Sequence, residues 1–111
     1  MDYMKLLYRI LKQASLAMET EEIPAASEVY LPDIMKGTER EIESMIYKAY
    51  QEGFIEGIHA VEIDGMSKPK VLMQDSYISI TIKGLEYLAD NSLMKKAERL
   101  IKGIKDMIPG A

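Results

Sequence analysis

The chain has 111 residues, 48% hydrophobic and 29% charged, with a net charge of −4, one histidine and no cysteine. That length supports a single domain with one core and excludes two, and the composition is that of a globular chain, not a disordered one. The missing cysteines exclude a disulfide framework and a thiolate metal centre, while the acidic balance opposes generic polyanion binding, since nucleic-acid modules are usually basic.

No apolar run approaches the length of a membrane span, and Asp2, Lys5, Arg9 and Lys12 keep the first twenty residues from reading as a signal peptide. A cytoplasmic location, with no membrane partner, is the expectation. The charge is unevenly spread. From Asn91 onward Lys95, Lys96, Arg99, Lys102 and Lys105 outweigh Glu98 and Asp106, a surplus of +3 that leaves −7 for the first ninety residues.

Residues 3 to 18 read as a first helix capped by Asp2, with Met4, Leu7, Tyr8, Leu11, Ser15 and Met18 recurring at helical spacing. A second stripe, Tyr3, Leu6, Ile10, Ala14 and Ala17, is also mostly apolar. A helix apolar on two faces should be covered on two sides. The first stripe is therefore assigned to the core, and Leu6 and Ile10 to an interaction surface. The ETEE run at 19–22 leads through Pro24 into a surface connection. Ser27 to Leu31 fits either a small strand or a helical turn, and Pro32 to Lys36 a short helix opened by its proline and stopped by Gly37.

Thr38 and Glu41 form a capping box at the head of the next helix, whose apolar stripe is Ile42, Met45, Ile46, Ala49 and Tyr50. Gly53 supplies the left-handed exit, and Phe54 and Ile55 begin a strand. Residues 55 to 63 read as extended, with Ile58, Val61 and Ile63 inward. Asp64 to Pro69 hold the turn signals, and residues 71 to 80 return as a half-buried strand. Thr81 caps a fourth helix with Leu85 and Leu88 toward the core. Asn91 and Ser92 break it. A fifth helix follows from about Leu93 to Met107, its apolar row Leu93, Ala97, Leu100, Ile101, Ile104 and Ile108, ended by Pro109 and Gly110. This row, Leu100 and Ile104 above all, is expected to meet Leu6 and Ile10. The expected core is Leu7, Leu11, Ile42, Met45, Ile46, Phe54, Ile55, Ile80, Leu85 and Leu88.

Three helices, a hairpin and two closing helices, with glycine at the helix-to-strand joint, define the expected fold class. It is α+β and mostly helical, a winged helix-turn-helix-like domain over residues 1–111 with a β-hairpin wing at about 55–80 and two C-terminal helices. The segments YRILK, YQEGFIEGI and ITIKGLEYLADNSLMKKAERLIKGIK resemble the YjcQ family of small bacterial and prophage proteins. The resemblance covers nearly the whole chain and is most specific from Thr81 to Lys105. It implies a winged-helix-like fold and supplies no functional residues to carry over.

Catalysis is not expected. His59 has no partner at ligand spacing and reads as a strand-surface histidine. The clusters Glu19, Glu21, Glu22 and Glu39, Glu41, Glu43 lack the alternating oxygen donors and glycine turn of a hard-cation loop, so they read as solvated faces. No phosphate loop, nucleophile elbow or zinc-protease motif is present, and neither a metal, a cofactor nor a small-molecule substrate is expected.

Two functions of different class stay open. In a winged helix-turn-helix the third helix enters the major groove. Its outer face here offers Arg40, Ser44, Lys48 and Gln51 to duplex DNA, and the wing adds Lys68 and Lys70 to phosphate. Against this, Glu39, Glu41, Glu43 and Glu52 outweigh Arg40 and Lys48, so that helix is −2, which opposes counterion release. The alternative is a protein–protein interaction module on the same scaffold, meeting a protein partner or a second copy through its apolar outer faces and nine methionines.

Overall fold

A computed structural model of the protein describes residues 2–90. The three longer helices begin where a side chain can take up amides that have no partner of their own. At the first, the amides of Met4 and Lys5 donate to the Asp2 carboxylate at 3.1 and 3.2 Å, opening α1 (Tyr3–Ala17). Two single-turn helices follow, α2 (Ala26–Val29) and α3 (Pro32–Met35). At the next, the Glu41 amide donates to Thr38 Oγ1 at 3.1 Å and the Thr38 amide to Glu41 Oε1 at 3.0 Å, the expected capping box of α4 (Glu39–Gln51). The last, α5 (Ile82–Asp90), starts on Thr81, whose hydroxyl accepts from the Gly84 amide at 3.0 Å and donates to the Gly53 carbonyl.

The extended segments pair antiparallel in two short pieces. β1 (Ile55–Glu56) lies on β4 (Ser79–Ile80) in the register Ile55 to Ile80, and β2 (Ala60–Val61) on β3 (Lys70–Val71) in the register Ala60 to Val71. The continuous strands expected over 55–63 and 71–80 are therefore interrupted. The break has a physical cause. Between the pieces the returning chain makes a 3₁₀ turn at Met73–Asp75 and drives Ser76 into the interior. There the Ser76 hydroxyl accepts from the His59 amide at 3.0 Å and donates to the Leu72 carbonyl at 2.8 Å, and the Ser76 carbonyl accepts from the Ala26 amide at 2.8 Å. One buried serine thus satisfies backbone groups that a ladder would otherwise have paired.

The architecture is α+β and mostly helical, with two small antiparallel sheets among the described residues. No helix among these residues is long and apolar enough to cross a membrane. The core gathers Leu6, Ile10, Leu11 and Ala14 of α1, Ala26, Tyr30 and Met35, Ile42, Ile46 and Ala49 of α4, and Ile55, Val71, Ile78 and Ile80 of the strand region. α1 lies centrally, against α4, β4 and α5.

Several expectations are corrected. Leu6 and Ile10, assigned to an interaction surface, are fully buried, whereas Met4 and Met18 of the stripe assigned to the core are exposed. Both stripes are apolar, and the buried face of α1 takes Leu6, Ile10 and Ala14 from one and Leu11, as expected, from the other. Leu100 and Ile104, with the whole fifth helix and its pairing to α1, lie outside the described residues. Leu7, Met45, Phe54 and Leu88 are half-buried at the core's edge, and Leu85 is exposed. Gly84 occupies the close approach to the Phe54 backbone and to Ile80 of β4 instead, leaving Leu85 on the outer side. Ile63 and Tyr50 are exposed as well. No strand forms before Pro32, where residues 26–29 are helical. The stop of α3 is Lys36 in the left-handed conformation (φ 60°), one residue ahead of Gly37.

Candidate functional site

One outer face of α4 carries Arg40, Ser44, Tyr47, Lys48 and Gln51, residues three or four apart and so stacked along a single side. The hairpin bends over this face. Gly65 takes φ +82° at its turn, and the descending side brings Met66, Ser67, Lys68, Pro69 and Lys70 opposite the helix. Helix face and hairpin enclose an open groove of about 680 Å³. Arg40, Ser44, Lys48, Gln51, Lys68 and Lys70, the six residues singled out from sequence for DNA, all line it and are all exposed.

The groove is held by Glu43, which the sequence presents only as one of the solvated carboxylates that oppose DNA. Its Oε2 receives Lys70 Nζ at 2.8 Å, and its Oε1 accepts from the Val71 amide at 3.2 Å. One carboxylate thus fastens the hairpin to the helix through a side chain and a main-chain group. Helical spacing from Arg40 and Tyr47 puts Glu43 on this face, but partners 27 and 28 positions away in the chain leave no local signal.

The electrostatics differ from the −2 expected for α4 as a whole. Among the described residues, Arg40, Lys48, Lys68 and Lys70 line the groove against one carboxylate, Glu43, a local surplus of +3. The other acids of the helix are directed away. The Glu41 carboxylate turns back onto Thr38, whose amide holds it below the usual carboxylate range. Glu39 borders a second cleft of about 290 Å³, on the other side of Glu43 and Lys70, and Glu52 lies past the helix end. In that second cleft, burial pushes the Tyr30 hydroxyl far above the ordinary phenol range, so it stays protonated. His59 is exposed between β1 and β2, as expected for a surface histidine.

Fold and groove together define a small α+β domain with a cationic trough between a helix and a hairpin. The model of the YjcQ protein family matches residues 8–107, which is most of the chain, and the chain belongs to that family. No curated protein and no solved structure matches it.

Proposed function

We propose that the chain is a non-catalytic winged-helix protein that binds duplex DNA in a regulatory role, with α4 as the recognition helix and residues 60–71 as the wing. The local surplus of +3 in the groove between α4 and the hairpin supports this most directly, because it offsets at the contact face the electrostatic objection raised by the overall charge. Arg40, Lys48 and Lys68 supply charge to phosphate. Ser44 and Gln51, on the same helical face, have side chains able to pair with base edges.

The test is a polarisation titration against random duplex DNA at low salt. Micromolar binding that weakens as salt rises is expected. Lys48→Ala and Lys68→Ala should each weaken it for all sequences alike and reduce the salt slope by about one. A parent protein that fails to bind at high concentration ends this reading. Such a result would favour the second reading, a protein-interaction module, for which the supporting observation is the outer side of α5. Ile82 is 75% exposed there, and Leu85 lies one turn further along.

A further inference from the structure

Among the described residues of the groove, Lys70 and the Val71 amide bring a side-chain cation and a main-chain donor together on a single anionic group. The group they hold is internal, the carboxylate of Glu43, at 2.8 and 3.2 Å. A DNA phosphate offers the same chemistry, anionic oxygens that accept from an ammonium and an amide. The pair is open to exchange, since the Lys70 side chain is 45% exposed and that of Glu43 is 22% exposed. An ion pair open to solvent on its lysine side contributes little to stability. Its effect on an incoming polyanion is larger, because it removes one cation from the groove and adds one repelling charge.

We infer that Glu43 masks a phosphate-binding subsite made by Lys70 and the Val71 amide, and so restrains backbone-driven binding to DNA of any sequence. The inference rests on the DNA-binding reading of the groove. In the parent protein Lys70 contributes nothing to counterion release while Glu43 holds it, and Arg40, Lys48 and Lys68 carry the phosphate contacts. A strut role for Glu43, holding the hairpin in place for DNA, predicts the opposite sign on its removal.

The experiment is a set of DNA titrations across salt with the parent, Glu43→Gln, Lys70→Gln and the double variant. Glutamine keeps an oxygen for the Val71 amide, so the hairpin stays anchored and that half of the subsite stays filled, and the variant tests the release of Lys70 alone. Glu43→Gln should bind random duplex DNA more tightly, with a salt slope steeper by about 0.9, so that its advantage shrinks about three- to fourfold between 50 and 200 mM salt. Adding Lys70→Gln should cancel that gain, whereas Lys70→Gln alone should leave the parent slope unchanged. If the parent binds and Glu43→Gln binds equally or more weakly, the mask is overturned and the groove reading stands. A gain that survives Lys70→Gln, or a slope flattened by Lys70→Gln alone, overturns it too. Failure of both parent and Glu43→Gln to bind overturns both.

Discussion

Gly84 is conspicuous in sequence only as the glycine inside ITIKGLEYL, yet the packing leaves it no room for a side chain. A Cβ there would lie 2.1 Å from the Phe54 carbonyl oxygen and 2.7 Å from an Ile80 methylene. Gly84→Ala should therefore push α5 off the strands and cost about 1–3 kcal/mol in a urea melt. A variant as stable as the parent would mean that the approach is looser than the structure shows. Gly57 is constrained twice, by φ +88° and by the Tyr77 carbonyl, which lies 1.9 Å from where a Cβ would be. At Glu41 the carboxyl is held low by the Thr38 amide. A group with a depressed folded value stabilises above its unfolded range, and the contribution is lost as pH falls through the folded value. Glu41→Gln should be less stable than the parent at neutral pH, with the gap closing on acidification. Paired denaturation curves across the carboxylate range check this, and a gap independent of pH refutes it.

At the scale of elements, α4 depends on its cap and its stripe. Thr38→Ala removes the acceptor for the Glu41 amide and should cost about 1 kcal/mol. Ile46→Ala, at a position with no exposed surface, should cost about 2–5 kcal/mol. Leu6→Ala on α1 should cost a similar amount. An interaction-surface leucine would behave otherwise, changing self-association and leaving the monomer's melting unaffected. Unchanged stability of Leu6→Ala would return that stripe to the outside. The hairpin is a weaker element, with two residue pairs in each sheet. It owes its position to tertiary anchors, the Ser76 hydroxyl within and the Glu43 carboxylate against α4.

At the scale of the molecule, charge is sorted by place. The chain is acidic overall, but its groove is cationic because the acids of α4 are spent on the cap, on the second cleft and on the hairpin clamp. The apolar surface is sorted as well. Ile82 heads the outer side of α5, and at 75% exposure it packs little on the described residues. Ile82→Ser should leave stability within about 0.5 kcal/mol of the parent. A large loss in thermal unfolding would show that the residue is covered in solution.

What the sequence by itself determined was local. Helix starts at Asp2, Thr38 and Thr81 and the left-handed exit at Gly53 follow from short-range hydrogen bonding and φ preference, and each stands where the residues place it. The six groove residues were legible for the same reason, since one helical face and one turn suffice to name them. Tertiary structure alone decided which residues of the two apolar stripes on α1 are buried, because periodicity states that a face is apolar but not what lies against it. It also decided the break in the hairpin and the partners of Glu43. Those depend on contacts between residues 17 to 28 positions apart, where only packing brings donor and acceptor together.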